Sequence, residues 1–340
     1  MKLLKLLLLI FFMGMFSVSA KAAEDVSPKI KAEMVKRTSE VFDRVEEMFK
    51  KRGYSLQRPA IENCRAYRTT RSTKRREELH LYMPSMLSVH FLPKNLEIIF
   101  FSNAAQKRSI TTEGSQLRIY AEKQEPKLSK EEVIEIATEF ATAVLGKFPT
   151  NVGKAMADWE VHSGMAKFEN GETKSGYQHG FWRVKWPRVT EEGYPFCITE
   201  GLAVNLYENV GPVLVDMDIV TQFGKVNFTP VKVEDVMEIA RASAKKLMKW
   251  GPTKDVFADL TFDPNPLDQS LYVVRPNHIT KSNDIPGDGG AIKGRLAWDI
   301  TFGAYAPGQT RETTKIPRAY LIIWIDAQNK EFLGGDVQIN

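Results

Sequence analysis

The sequence lacks the short motifs that mark the common classes of hydrolase and nucleotide-binding protein. It has no His-Glu-x-x-His pair, no Gly-x-Ser-x-Gly turn and no glycine-rich phosphate-binding loop. Histidine is scarce, and the five copies are scattered without metal-ligand spacing: His80, His90, His162, His179 and His278. The sequence therefore predicts no catalytic, metal or cofactor site. An enzymatic activity would need an arrangement of residues that their spacing along the chain does not reveal.

Cysteine is nearly absent, because the chain has two copies, Cys64 and Cys197. In an oxidising compartment they can form a disulfide, and the alternative is two separately buried thiols that behave as small apolar side chains. The sequence leaves both open, since a bridge needs Cα atoms roughly 4.4–6.8 Å apart. A catalytic thiol is the least favoured interpretation, because neither cysteine stands at a predicted helix N-terminus.

A strong charge imbalance is also missing. The 47 Lys and Arg residues against 42 Asp and Glu residues give a formal net charge of +5. Proteins that hold nucleic acid by neutralising phosphates usually have a larger excess, concentrated on one element. We therefore expect no nucleic-acid partner.

One long apolar run is present, at residues 6–16, and it follows the positive charges of Lys2 and Lys5. Small residues fill positions 17–23. This order is typical of a secretory signal peptide, here residues 1–22, with cleavage between Ala20 and Ala23. A membrane anchor is disfavoured, because the run is shorter than the roughly 20 residues that span a bilayer. We expect export to the periplasm or the extracellular space as a soluble protein.

An internal repeat organises the rest of the chain. Glu-Glu-Val-Ile-Glu-Ile-Ala at 131–137 recurs as Glu-Asp-Val-Met-Glu-Ile-Ala at 234–240, and each copy opens a helical pattern. The alignment makes Ile136 and Ile239 equivalent, and both are expected to be buried under a sheet.

Helix boundaries are marked by capping signals. An amphipathic helix is predicted over 27–51, with Gly53 after its end. Ser129 and Glu132 form a capping box at the start of the first repeat helix, and Gly146 closes that helix. The second repeat helix is expected to begin near Pro230.

Strands are predicted from alternating apolar residues. Three hairpins share this alternation and an Asn at the turn: 87–101, 202–215 and 321–333. Asn tolerates the left-handed backbone conformation that such turns require. Two further strands share a Trp-x-aliphatic-x-aromatic pattern, at 182–186 and 298–302. Their large residues are interpreted as a core stripe beneath a helix, with stacking on a sugar or peptide ligand as the alternative.

Basic residues are densest between 65 and 76. We call this set the basic strip: Arg65, Arg68, Arg71, Lys74, Arg75 and Arg76. A strand followed by a solvated hairpin loop explains it. The functional alternative is an anion-binding surface for an anionic glycan, a lipid headgroup or an acidic protein.

The repeat resembles a known family. A capped helix at 128–137, a Trp-x-Val strand at 182–184 and a closing hairpin like that at 321–335 are similar to the PepSY domain of secreted-peptidase propeptides and bacterial cell-surface proteins. The second copy, 231–338, is similar in the same three places. The hairpins depart from the family, because Asn-Val-Gly and Asn-Lys stand where Thr-Gly or Asp-Gly is common.

The resemblance implies an α+β fold of tandem modules, each a helix packed on an antiparallel β-sheet, and a non-enzymatic role in an exported setting. We expect a signal peptide at 1–22, an N-terminal α+β module at 23–125 and PepSY-like modules at 126–225 and 226–340. The expected function is to inhibit or modulate a peptidase, or to assist an envelope process, through a protein partner. The alternative is a polyanion- or glycan-binding surface protein that uses the basic strip. No catalytic residue and no cofactor is carried over.

Overall fold

The computed structural model describes residues 24–71, 76–108, 125–167, 173–196, 200–218, 223–249, 254–276 and 293–339. The helices in this part are α1 (Pro28–Arg52), α2 (Ala104–Arg108), α3 (Lys130–Leu145), α4 (Met237–Met248) and α5 (Lys254–Phe257). The strands are β1 (Glu24–Asp25), β2 (Arg65–Arg71), β3 (Arg76–Met83), β4 (Leu87–Phe91), β5 (Ile98–Asn103), β6 (Met156–Lys167), β7 (Thr173–Pro187), β8 (Gly201–Tyr207), β9 (Gly211–Asp218), β10 (Thr261–Phe262), β11 (Asp268–Val274), β12 (Arg295–Tyr305), β13 (Ala319–Asp326) and β14 (Phe332–Ile339).

These elements form an α+β fold with antiparallel pairing, as the sequence predicted, and the strands make up two sheets. The chain divides into two compact units. The first comprises the described residues within Met1–Thr150, Lys154–Trp186 and Leu202–Asp218; the second takes Asn151–Gly153, Pro187–Gly201 and the described residues from 219 onward. Between β7 and β8 the chain therefore contributes one segment to the second unit.

The first unit is built on a nine-stranded sheet in the order β1-β2-β3-β4-β5-β9-β8-β7-β6. A helix followed by a run of strands occurs twice in it, since α1 precedes β2 to β5 and α3 precedes β6 to β9. Strand β5 pairs antiparallel with β9, from Phe100 opposite Asp216 to Ser102 opposite Leu214. The two sets of strands thus share one continuous sheet.

The caps of α1 and α3 follow the sequence signals. Ser27 accepts a hydrogen bond from the Ile30 amide at the start of α1. At the start of α3 the capping box is present, because the Ser129 side chain bonds the Glu132 amide and the Glu132 carboxylate bonds the Ser129 amide. Gly53 and Gly146 adopt left-handed conformations after the two helices. These helix predictions are confirmed.

The second unit contains a five-stranded sheet in the order β10-β12-β13-β14, with β11 also paired to β12. Helix α4 packs on it over a core that includes Ile300, Phe302, Leu321 and Ile323. The hairpins that the sequence predicted at 87–101, 202–215 and 321–333 are present as β4–β5, β8–β9 and β13–β14.

The start of the second repeat helix was predicted wrongly. A single 3-10 turn spans Val233–Asp235, and α4 begins only at Met237 instead of near Pro230. In the repeat, Lys232 occupies the position of Ser129, and its side chain offers no acceptor for the first free amides. The two equivalent isoleucines differ in burial, because Ile136 is buried whereas Ile239 is only half-buried.

The role assigned to the turn asparagines also needs correction. In two of the three turns the left-handed residue is the one after Asn, with φ 54° at Leu96 and φ 62° at Lys330, and in the third it is Gly211 with φ 85°. Asn95 instead accepts a hydrogen bond from the Glu97 amide at 3.1 Å, and Asn329 accepts one from the Glu331 amide at 3.1 Å. Asparagine therefore closes these two turns through its side chain.

Candidate functional site

The first candidate site is β6, the last strand in the sheet of the first unit. Its twelve residues pair with β7 along their whole length, from Met156 opposite Lys185 to Lys167 opposite Thr173. On its other side β6 has no neighbouring strand among the described residues. An edge strand of this length presents a row of backbone N–H and C=O groups that another chain can pair with.

Tryptophan packing holds β6 against β7. Trp159 lies opposite Trp182 in the strand register, and the two rings meet edge to face with centroids 5.5 Å apart. Trp159 also covers Gly180, where an added Cβ would lie 2.0 Å from the indole. Only glycine leaves room for this ring, so the packing fixes the register of the edge strand.

The described side chains of β6 include two exposed apolar residues. Met156 is 52% exposed and Val161 is 39% exposed. Between them Asp158 is exposed, and Glu160 is half-buried with a carboxylate oxygen 3.9 Å from Arg183. Large apolar side chains on an unpaired edge are unusual, because native proteins normally protect such edges with charges, bulges or short strands.

Two other edge strands illustrate that protection. Strand β1, at the opposite end of the nine-stranded sheet, has two residues. Strand β14 lies at one end of the second sheet and carries Asp336. The Asp336 carboxylate accepts a hydrogen bond from the Val337 amide at 2.8 Å, so this amide is less available to an added strand. Strand β6 is longer than both, which makes it the better candidate for strand addition.

A second feature is a ladder of stacked rings on the face of the first sheet that does not carry Leu79 and Val89. Tyr67, His80, His90 and Phe100 stand opposite one another on β2, β3, β4 and β5. Their ring centroids are 5.1, 3.8 and 4.4 Å apart in that order, and the two imidazoles are stacked with 16° between their planes.

A buried carboxylate adjoins the two imidazoles. Glu78 is fully buried, and its Oε2 lies 3.2 Å from Nε2 of His80 and 3.2 Å from Nδ1 of His90. Ser88 Oγ lies 3.0 Å from the other nitrogen of His90. We call Glu78, His80 and His90 the Glu-His cluster. In the described part of the chain it is the group whose ligand atoms lie close enough together to hold a metal ion.

The Glu-His cluster was not predicted, because the spacing of its residues along the chain is not that of a metal site. A local signal was nonetheless present. Glu78 and His80 alternate on β3 and so share a face, and the tight turn after Met83 brings His90 opposite His80. The histidines that looked scattered are therefore partly brought together.

The described side chains of the basic strip, those of Arg65 and Arg68, do not share one surface. Arg65 and Arg68 lie three residues apart on a regularly paired strand, so they face opposite sides of the sheet. Arg65 pairs with Asp25 at 2.9 Å, and Arg68 pairs with Glu77 at 3.3 Å. The backbone of Arg71 pairs with that of Arg76. The remaining members, Lys74 and Arg75, lie outside the described residues, as do residues 1–23.

The disulfide remains a prediction. Cys64 is buried, and burial raises the pKa of its thiol, which makes it a poor nucleophile. Cys197 lies outside the described residues.

In the second unit, a half-buried acid marks the sheet face that does not carry Ile300 and Phe302. Asp299 accepts a hydrogen bond from Trp324 Nε1 at 2.9 Å. Burial raises the pKa of Asp299 to about 6 against the effect of that hydrogen bond, and the nearby charge of Asp268 adds to the rise. The ionised form is therefore disfavoured in the folded protein.

We expect Asp299→Asn to stabilise the second unit at about pH 7, by up to about 3 kcal/mol. The folded pKa lies above the ordinary value of 3.8, so folding becomes less favourable as pH rises from about 4 through about 6. Asparagine keeps an acceptor for Trp324 without the charge. Urea unfolding at several pH values measures the gain, which should vanish below about pH 4. The exposed Asp259→Asn is the control, and a D299N variant no more stable than the parent at neutral pH would contradict the prediction.

No protein-family model matches the chain, and no curated protein is similar to it. Among the helices of the described ranges, none has both the length and the hydropathy of a transmembrane segment.

Proposed function

We propose that this chain is an exported, non-enzymatic binding protein that modulates a peptidase by pairing an extended segment of that peptidase with β6. The observation that carries the proposal is the twelve-residue edge strand with exposed Met156 and Val161. Backbone hydrogen bonds to an added strand supply affinity, and the side chains of the edge supply selectivity.

The side chains of β6 suggest what the added segment looks like. Met156 and Val161 offer apolar surface, and Asp158 offers an exposed carboxylate between them. Because side chains alternate along a strand, Met156 and Asp158 share one face of β6 and Val161 lies on the other. A partner strand with an apolar residue and a Lys or Arg on the first face, and an apolar residue on the second, complements these features. This composition separates the proposal from polyanion binding, because the residues of β6 between Met156 and Val161 include two acids and no base.

The proposed class of partner rests on the resemblance to PepSY domains, which we extend to tandem modules at 126–225 and 226–340. Equivalent tryptophans support this division. Trp182 Nε1 donates a hydrogen bond to the Glu208 carboxylate. The same carboxylate accepts hydrogen bonds from the amides of Lys127 and Leu128. In the second copy Trp298 Nε1 donates to the Val231 carbonyl at 2.9 Å. In both copies a tryptophan thus anchors the segment that leads into the helix.

The export part of the proposal rests on the signal-peptide pattern of residues 1–22. The rival polyanion function is less well supported, since two members of the basic strip already pair with carboxylates and face opposite sides of the sheet.

Site-specific photo-cross-linking in cells tests the proposal. A photoreactive residue at Val161 should cross-link to a peptidase in the exported fraction. Val256 is the matched control, because it is exposed to nearly the same extent, 38% against 39%, and lies on α5 of the second unit. The purified protein should then change the activity of that peptidase, and Val161→Lys should weaken the effect whereas Val256→Lys should not.

Equal cross-linking from both valines, or a partner that is not a peptidase, would reject the proposed function. Salt dependence distinguishes strand addition to β6 from the rival polyanion function. Strand addition depends weakly on ionic strength, whereas binding through the basic strip should weaken steeply as salt rises.

A further inference from the structure

We propose that the Glu-His cluster is a binding site for a transition-metal ion of the Zn²⁺ type, with Glu78, His80 and His90 as ligands. One carboxylate and two imidazoles form a ligand set that suits Zn²⁺ and its neighbours in the first transition row. The proposal is independent of the partner that β6 binds.

The spacing of the ligand atoms fits such an ion. Zn²⁺ binds imidazole nitrogen and carboxylate oxygen at about 2.0–2.2 Å, so two ligand atoms around a tetrahedral ion are separated by roughly 3.3 Å. Glu78 Oε2 lies 3.2 Å from Nε2 of His80 and from Nδ1 of His90. The two distances that involve the carboxylate are therefore close to those of an assembled site.

An outer partner orients one ligand. Ser88 Oγ lies 3.0 Å from Nε2 of His90, on the side of the ring away from Glu78. If the hydroxyl oxygen accepts the Nε2 proton, Nδ1 carries the lone pair and points it toward the carboxylate. Hydrogen bonds of this kind fix the tautomer of metal-binding histidines.

Binding requires one movement. Metal bonds lie in the plane of an imidazole, whereas the rings of His80 and His90 are stacked face to face at 3.8 Å. His90 is held by Ser88 and by its stack on Phe100 at 4.4 Å. His80 has the looser contact, 5.1 Å from Tyr67, so we expect the His80 ring to rotate toward the ion.

Burial indicates a structural role for the ion. The side chains of Glu78, His80 and His90 are 0%, 11% and 7% exposed. An ion there would join β3 to β4 beneath the sheet surface and would balance part of the charge of a buried carboxylate. We therefore expect the ion to stabilise the first unit.

Zn²⁺ titration of the chelator-treated full-length protein tests the site. We expect one ion per chain and a higher unfolding temperature when Zn²⁺ is present. His80→Phe, which keeps a ring in the stack, should weaken binding at least about 100-fold, and Ser88→Ala should weaken it about 10-fold. The control is H162A/H179A, a double variant of histidines whose backbone positions pair across β6 and β7, which should bind as the parent does.

Circular dichroism decides whether each variant folds. If His80→Phe does not fold, the parent protein still provides the answer, because Co²⁺ in the site should give the visible spectrum of a tetrahedral ion with nitrogen and oxygen ligands. Absence of a bound ion at one equivalent would overturn the proposal and leave the cluster a hydrogen-bonded network. It would also be overturned if folded His80→Phe bound Zn²⁺ as tightly as the parent, or if H162A/H179A abolished binding.

Discussion

Phe101→Ala should destabilise the first unit by about 3–5 kcal/mol, the range for removing a fully buried phenylalanine. Phe101 is 1% exposed and stands at the centre of β5. Its ring meets Phe42 of α1 edge to face with centroids 5.5 Å apart, and it meets Phe140 of α3 at 6.1 Å. One cavity would therefore remove contacts from both helices and from the sheet beneath them.

Hydrogen exchange followed by mass spectrometry measures this loss of stability and shows in which elements it occurs. Because the cavity touches both helices, exchange should accelerate in α1 and in α3 together. Phe100→Ala is the matched control, since Phe100 directly precedes Phe101 on the same strand, is half-buried and faces the opposite side. It should cost less. Acceleration confined to one helix would mean that α1 and α3 cover separate cores.

This shared core shows which parts of the fold the sequence could predict. Caps and hairpins depend on neighbours in the chain, so Ser129 with Glu132, Gly53 and Gly146 were sufficient to place the ends of α1 and α3. The pairing of β5 with β9 joins strands that are far apart in the chain, and no local pattern specifies it. The sequence consequently predicted the elements of the first unit without its single sheet.

The candidate sites follow the same division. The alternation of Glu78 and His80 is local and could have been read, whereas the exposed edge of β6 depends on its being the last strand of the sheet. The late start of α4 has a local cause, the missing cap at Lys232, which the strong repeat at 234–240 obscured. Buried charges are the least predictable, because their partners are set by the tertiary fold.

Glu200 is the clearest of these buried charges. Its side chain is 1% exposed and bonds two arginines, through Oε2 to Arg188 at 2.9 Å and through Oε1 to Arg275 at 3.2 Å. The Arg188 guanidinium lies over the ring of Phe196 at 4.0 Å, and Phe196 in turn pairs with Val273 of β11. The carboxylate thus connects the segment before β8 to the end of β11 within the second unit.

We expect Glu200→Gln to destabilise the second unit by about 3–5 kcal/mol, the range for breaking a buried ion pair by removing one partner. Glutamine has nearly the same volume, so the loss would come from replacing the charge of Glu200 by a neutral amide beside two poorly solvated guanidinium groups. Urea unfolding measures it, with Glu191→Gln as the control, because the Glu191–Lys225 pair of the same unit is 72% and 75% exposed. The control should leave the midpoint unchanged. If Glu200→Gln behaved like that control, the two arginines would have to be held by solvent and backbone, and Glu200 would not be the link between the two segments.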